Sequence, residues 1–220
     1  MMWLGAKEPE RGIPATELRE KLFSVLRVLG SFKKVLIIPP DYTRVHSWAG
    51  YITEILWEFY GSKVGAILPA LGTHEPMKPE EIRNMFGKVP SSLFYVHNWR
   101  TDTVTLGRIP EARVEEISHG AVHYSWPVQV NKMLVEGDFD AIFSVGQVVP
   151  HEVAGMAGYN KNLFVGTGGS EAIHKSHFLG AAYGMERIMG KALNPVRELF
   201  RQAEIQYAGH LPVIYIQTVV

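Results

Sequence analysis

The sequence predicts an α/β fold in which helices cover both faces of an open, mostly parallel sheet. Short apolar runs of strand type alternate along the chain with longer segments in which apolar residues recur at helical spacing. With 220 residues and 46% hydrophobic content, the chain can bury a full core. We therefore expect residues 1–220 to form a single α/β domain of Rossmann-like architecture.

Several segments have the pattern of amphipathic helices. In residues 14–30, Leu18, Leu22, Leu26 and Leu29 recur three or four positions apart. Near the end of the chain, Pro195 occupies a favourable first position for a helix that begins at Asn194. The predicted helices are 14–30, 48–60, 79–86, 128–135, 170–189 and the helix beginning at Asn194.

Apolar, β-branched runs predict the strands. KVLIIPP, VGAILPA and AIFSVGQVV are the clearest, because each is predominantly apolar and bounded by polar or turn residues. Residues 103–106 and 114–117 are predicted as edge or hairpin strands, since charged residues interrupt or flank them. The remaining predicted strands are LFYVHNW at 93–99, LFVG at 163–166 and PVIYIQTVV at 212–220.

Composition excludes several classes of function. The chain has 22 basic and 22 acidic residues, so no bulk field draws it to nucleic acid or to an anionic membrane. It has no cysteine, which excludes disulfides and thiolate metal sites. The segment 1–12 lacks the long apolar stretch of a secretion signal, and no run is long enough to cross a membrane. The expected location is the cytoplasm.

Polar residues follow three of the predicted strands. Asp41, Thr43 and Arg44 come after KVLIIPP, His74 comes after VGAILPA, and His151 comes after AIFSVGQVV. In an open parallel sheet, ligands bind outside the carboxyl ends of the strands. The sequence therefore predicts that an acid, a guanidinium and two imidazoles converge on one crevice.

The segment 150–177 holds the remaining candidates. Lys161 precedes LFVG, and a glycine loop with Gly166, Gly168 and Gly169 leads into a helix that begins near Ser170. Glycines in this position allow the backbone to approach a phosphate at a helix N-terminus. His174 and His177 lie three residues apart and share a face of that helix, so spacing alone does not select between them.

These residues resemble the lactate racemase family over nearly the whole chain. The motifs occur in order: D-x-T-R at 41–44, G-T-H-x-P-M at 72–77 and P-H-x-x-A-G at 150–155. Lys161 follows His151 by ten residues, and His177 follows Lys161 by sixteen. Members of this family racemise or epimerise 2-hydroxy acids by hydride transfer to a nickel-pincer nucleotide, pyridinium-3,5-bisthiocarboxylic acid mononucleotide nickel.

The resemblance implies a role for each candidate. His74 and His151 are the catalytic pair that alternates as general base and acid on opposite sides of the substrate. Arg44 binds the substrate carboxylate, and Asp41 orients a neighbouring donor or a cofactor hydroxyl. Lys161 forms a thioamide with the cofactor and His177 is the nickel ligand. The other implied cofactor-binding residues are Thr43, Gly72, Thr73, Gly166, Gly168 and Gly169.

Two of the departures from the family pattern bear on the substrate and on the domain organisation. Glu75 stands where many relatives have arginine, which disfavours simple lactate as substrate. Family members are also about twice as long and have a second α/β domain over the cleft. We therefore expect this chain to lack that domain, to associate with a second copy or a separate second domain, and to be free of cofactor when made without its biosynthetic pathway.

Three alternatives remain open. The first is a non-catalytic module with a cofactor-binding or regulatory role, which would use the cleft for binding but would catalyse no reaction. A nicotinamide-dependent oxidoreductase is favoured only by the run Gly166-Thr167-Gly168, whose sixth position is Glu171 instead of glycine. A metal-dependent hydrolase built on His174 and His177 lacks the HExxH arrangement and a third ligand.

Overall fold

The computed structural model describes residues 12–220. Its strands are β1 (Val35–Ile38), β2 (Val64–Ile67), β3 (Thr103–Ile109), β4 (Trp126–Asn131), β5 (Ala141–Gln147), β6 (Pro150–His151), β7 (Gly155–Met156) and β8 (Val213–Thr218). Its α-helices are α1 (Ala15–Leu29), α2 (Ala49–Tyr60), α3 (Pro79–Phe86), α4 (Glu111–Ser118), α5 (Met133–Glu136), α6 (Ser170–Tyr183), α7 (Met185–Ile188) and α8 (Pro195–Ala203).

The central sheet has four parallel strands in the order β2-β1-β5-β8. Strand β1 pairs with β2 on one side and with β5 on the other, with Val35 opposite Val64 and Ala141. The chain thus proceeds from β1 to β2 in one direction, and its later parallel strands lie on the other side of β1. Such a reversal of strand order opens a crevice at the carboxyl ends of the strands.

Successive residues of the strands point to opposite faces of the sheet, and each face has its own core. On one face, Ile37 and Phe143 are buried with apolar residues of α1 and α2. On the other face, Leu36 and Ile142 belong to a core that includes Trp126 of β4, which pairs antiparallel with β3, and residues of α6 and α8. The predicted α/β class, with a parallel sheet covered on both faces, is confirmed.

Most predicted elements are confirmed. The helices at 14–30, 48–60 and 79–86 and the one beginning at Asn194 are present, and the Oδ1 atom of Asn194 accepts a hydrogen bond from the N–H of Arg197 at 3.0 Å. The strands expected in KVLIIPP, VGAILPA, AIFSVGQVV, PVIYIQTVV and 103–106 are also present. The helix predicted over 170–189 is interrupted at Gly184, whose φ of 108° ends α6 before α7 begins.

Four predictions of secondary structure are wrong. Residues 114–117 lie in α4, because Val114 and Ile117 are buried at a spacing of three that suits a helix. Residues 128–135 form most of β4 followed by the short α5. The run at 93–99 contributes only a bridge between Phe94 and Ile67, and LFVG lies in a π-helical turn over Asn162–Gly166. Short apolar runs cannot distinguish a strand from a buried helical turn.

Within residues 12–220, no helix is long and apolar enough to cross a membrane. The prediction about a secretion signal concerns residues 1–12. Of these, residues 1–11 lie outside the described part of the chain.

Candidate active site

A cleft lies at the carboxyl ends of three neighbouring strands. Asp41 follows β1, His74 follows β2 and His151 forms the end of β6, just after β5. Most of the predicted site residues line this cleft: Asp41, Thr43, Arg44, Gly72, Thr73, His74, His151, Lys161, Gly166 and His177. The parallel sheet therefore brings together residues that are up to 136 positions apart in the chain (177 − 41).

Asp41 connects the first two strand ends. Its Oδ1 accepts hydrogen bonds from the N–H and Oγ1–H of Thr43, at 3.2 and 2.5 Å, and so caps the short 3₁₀ turn Tyr42–Ser47. Its other oxygen, Oδ2, lies 2.5 Å from Nδ1 of His74. Because a carboxylate only accepts hydrogen bonds, His74 donates through Nδ1. The Asp41 side chain is thereby almost wholly enclosed, whereas 59% of the His74 side chain is exposed.

His151 is held in a different way. Its side chain is only 11% exposed, and its Nδ1 accepts hydrogen bonds from the backbone N–H groups of Val153 and Ala154, both at 3.2 Å. Burial is the main reason why the pKa of His151 falls to about 4, with a further contribution from the positive charge of Lys161. The imidazole is therefore neutral at physiological pH.

Lys161 enters the cleft at the start of the π-helical turn. That turn is attached to the sheet because the buried Asn162 donates from Nδ2 to the carbonyl oxygen of Val145 in β5 at 2.9 Å. Burial, followed by repulsion from the guanidinium of Arg44, lowers the pKa of Lys161 to about 8. About a tenth of this amine is consequently uncharged and nucleophilic at pH 7, far more than for an ordinary lysine with a pKa near 10.4.

His177 lies on α6 with one ring nitrogen already committed. Its Nδ1–H donates to the carbonyl oxygen of Ile173, one turn earlier in the helix, at 2.7 Å. Burial lowers the pKa of His177, and Lys161 adds to this effect by charge repulsion. The ring is thus a neutral imidazole whose Nε2 carries the free lone pair. His174 takes no part in the cleft, since it is exposed and packs edge-on against Trp99.

Two predicted residues, Gly168 and Gly169, are not brought into the cleft. A Cβ on Gly168 would lie 2.0 Å from the carbonyl oxygen of Phe164, and one on Gly169 would lie 2.5 Å from Oε1 of Gln129. The N–H groups of Ser170 and Ala172 at the start of α6 donate to protein acceptors, at 3.0 and 3.1 Å. These glycines permit close packing within the protein, and the start of α6 does not present a free phosphate cradle there.

Another part of the glycine loop is held by a hydrogen bond from a buried side chain. The carbonyl oxygen of Gly168 accepts from Nε2–H of His97 at 3.0 Å, while Asn131 donates to the other nitrogen of that ring at 2.9 Å. Both residues are buried. Gly166 differs, because its carbonyl oxygen accepts from the N–H of Gly72 at 2.8 Å and so connects two loops that line the cleft.

The sequence reasoning missed some residues of the cleft. Gln147, Glu152 and Asn162 all line it. Glu152 directly follows His151, and Gln147 ends β5, so proximity to a predicted strand end was the available signal. Glu75, although adjacent to His74, is exposed and does not line the cleft.

A larger groove exists elsewhere on the surface. It has a volume of about 460 Å³, compared with about 160 Å³ for the cleft, and lies beside α4 and α8. Arg113 and Arg201 in this groove pair with Glu116 and Glu198. Because these charges are matched and no predicted site residue lines the groove, we assign the chemistry to the smaller cleft.

The cleft lies where the order of the parallel strands reverses. It combines neutral imidazoles with a guanidinium, a carboxylate and a partly uncharged amine, which are groups typical of a small-molecule site in an α/β enzyme. Among residues 12–220, no group of three or more histidine, aspartate or glutamate side chains is placed to hold a metal ion.

The sequence model of the family described as the lactate racemase N-terminal domain matches residues 23–187 of the chain. The chain belongs to this family.

Two solved structures share the fold of this chain. A Thermotoga maritima protein of known crystal structure matches 99% of the chain with a TM-score of 0.87 and 28% identity. The lactate racemase apoprotein of Thermoanaerobacterium thermosaccharolyticum matches 84% of the chain with a TM-score of 0.60 and 21% identity, which shows a shared fold. The chain covers 53% and 43% of these two proteins, respectively. No curated protein matches.

Proposed function

We propose that this chain forms the cofactor-binding and catalytic domain of a 2-hydroxyacid racemase or epimerase that uses a nickel-pincer nucleotide. The observation that supports the proposal most is the convergence of Asp41, Arg44, His74, His151, Lys161 and His177 on one cleft. When bound, the nucleotide supplies a reversible acceptor for the hydride from C2 of the substrate.

The residues present fit such a group. Lys161 has a lowered pKa of about 8, as an amine that must be acylated near neutral pH requires. His177 donates Nδ1–H to a backbone carbonyl at 2.7 Å, an arrangement that fixes the ring orientation of most histidine metal ligands and leaves Nε2 for the metal. Imidazole suits nickel, so Lys161 and His177 would hold the nucleotide from two sides.

The substrate contacts follow from charge and hydrogen bonding. Arg44 offers two parallel N–H donors to a carboxylate, which places C2 of a hydroxy acid among the remaining cleft residues. His74 and His151 lie at the ends of different strands and exchange the hydroxyl proton with the substrate. The substrate we propose is a small 2-hydroxy acid, and a second domain or a second copy of the chain would complete the cleft.

One alternative loses support from the structure. A dinucleotide fingerprint requires a strand that leads through the glycine loop into a helix. Here a π-helical turn over Asn162–Gly166 leads into the loop, and Gly168 and Gly169 pack against Phe164 and Gln129. We therefore favour the racemase over a nicotinamide-dependent oxidoreductase.

The test uses protein produced together with the cofactor pathway and 2-hydroxy acids deuterated at C2. We expect the inverted product to keep deuterium at C2 and the reaction to be slower than with the undeuterated acid, because the C–H electron pair moves as hydride. His74→Ala and His151→Ala should abolish racemisation, whereas His174→Ala, on the same helix as His177 but outside the cleft, should retain it. Exchange of the C2 deuterium with solvent would instead indicate a carbanion and refute the hydride route.

A further inference from the structure

The two histidines proposed to exchange the hydroxyl proton, His74 and His151, are held by opposite kinds of partner. His74 faces a carboxylate through Nδ1, at 2.5 Å from Oδ2 of Asp41. His151 faces two backbone N–H groups through Nδ1, each at 3.2 Å. In a neutral imidazole, one nitrogen carries the proton and the other accepts, so the partner of Nδ1 decides the state of Nε2.

We propose that the protein fixes His74 and His151 in opposite tautomers, with His74 presenting a bare Nε2 and His151 presenting an Nε2–H group. This inference rests on the proposed function and deepens it, because it separates two residues that the resemblance treats as equivalent. His74 is then the ready proton acceptor, and His151 is a hydrogen-bond donor toward the substrate oxygen.

The alternative ring orientations are unfavourable. Turning the His151 ring over would place a C–H group against the N–H groups of Val153 and Ala154, and Ala154 is 1% exposed. A buried N–H group without a partner is unfavourable, because it has given up its hydrogen bond to water and gained none in return. Turning the His74 ring over would leave Oδ2 of Asp41 facing a C–H group in the same way.

The chemical consequence concerns the oxidation of the hydroxy acid. The hydroxyl proton moves to Nε2 of His74, the C2–H electron pair leaves as hydride for the acceptor of the proposed function, and C2=O forms. The imidazolium of His74 keeps its Nδ1–H bond to Asp41, and the carboxylate balances its charge. His151 keeps its proton during this step and donates a hydrogen bond. Asp41 is thus the positioning residue for His74.

Asp41→Asn provides a sharp variant. Oδ1 must continue to accept from the N–H and Oγ1–H of Thr43, so the new amide NH₂ takes the place of Oδ2. This NH₂ group donates to Nδ1 of His74 and moves the ring proton to Nε2. We therefore expect the substitution to reverse the tautomer of His74 and to leave that of His151 unchanged.

The test is ¹⁵N NMR of the imidazole nitrogens in the 220-residue chain, without cofactor, at neutral pH. His74→Gln and His151→Gln assign the two rings by loss of their signals. We expect His74 to be mainly the Nδ1–H tautomer and His151 mainly the Nε2–H tautomer, with His74 reversed in Asp41→Asn. Finding the same tautomer in both rings, or no change in Asp41→Asn, would overturn the proposal.

A second measurement separates this proposal from the proposed function. In single-turnover oxidation by cofactor-loaded protein, keto acid should form faster from one enantiomer, and this fast phase should be lost in His74→Gln. Equal rates from both enantiomers would overturn the inference of unequal roles. Opposite tautomers in a protein that forms no keto acid would confirm the inference about the rings and refute the racemase.

Discussion

Lys161 shows how strongly a cleft can alter a single side chain. Burial and the adjacent Arg44 oppose its positive charge and lower its pKa to about 8. The side chain of the neighbouring Asn160 accepts from Arg197 and donates to Glu204, both at 3.0 Å. The amine of Lys161 is partly uncharged near neutral pH, a property that covalent attachment of a cofactor requires.

This environment makes Lys161 selectively reactive. In competitive acylation of the folded chain with an isotope-coded reagent, we expect the reaction of Lys161 to rise with a midpoint near pH 8, provided that the reagent is small enough to enter the cleft. Exposed lysines such as Lys191, measured by mass spectrometry in the same samples, serve as the internal standard. A pH profile of Lys161 that coincides with that of Lys191 would show that the cleft does not shift its pKa.

At the scale of elements, the glycine loop between the π-helical turn and α6 allows close packing of the backbone within the protein. The carbonyl oxygen of Gly168 is held by the buried His97, and the glycine has no room for a side chain because Phe164 is so close. This loop connects the start of α6 to strand β4, which contains Gln129 and Asn131. Helix α6 also carries His177. Its role in the site is therefore to place α6.

A substitution at Gly168 tests this role. Gly168→Ala places a Cβ 2.0 Å from the Phe164 carbonyl oxygen, so we expect a loss of roughly 1–3 kcal/mol in the free energy of unfolding, as overpacked sites show. Gly209→Ala is the matched control, because its φ is −65° and its nearest neighbour would be 3.4 Å away. Urea unfolding should separate the two variants, and equal stability would contradict the packing role.

The same elements show what can be predicted from sequence. The ends of β1, β2 and β5 are visible because predominantly apolar runs end just before Asp41 and shortly before His74 and His151, and parallel pairing then brings these ends together. The π-helical turn is not visible, because it depends on Asn162 reaching the carbonyl of Val145 in a distant strand. The position of Gly168 outside the cleft has the same cause, since its contact with His97 is tertiary.

At the scale of the whole molecule, the site depends on neutral histidines. Burial is the main cause that lowers the pKa of His97, His151 and His177, and in His151 the value falls from 6.5 to about 4. A histidine whose pKa is lower in the folded than in the unfolded state binds protons more readily after unfolding. Its contribution to stability is complete above pH 6.5 and is lost as the pH falls toward the folded-state value.

We therefore expect the free energy of unfolding to decrease by about 2 kcal/mol through His151 alone when the pH falls from about 7.5 to about 5, with further losses through His97 and His177. Urea titrations across this range measure the effect. His151→Gln should flatten the pH dependence, whereas His210→Gln, at an exposed position, should leave the profile unchanged. A stability that is constant between these pH values would contradict the assignment of three neutral histidines.

The whole fold places the candidate active site in the cleft where the order of the parallel strands reverses beside β1. The central claim is that Lys161 and His177 hold a nickel-pincer nucleotide in this cleft. The most direct measurement is intact mass spectrometry with nickel analysis of the chain produced together with the cofactor pathway. We expect one covalent adduct on Lys161 and one nickel per chain, loss of both in Lys161→Ala, and an adduct with less nickel in His177→Ala. A chain that remains unmodified and free of nickel, although folded and exposed to the complete pathway, would contradict the claim.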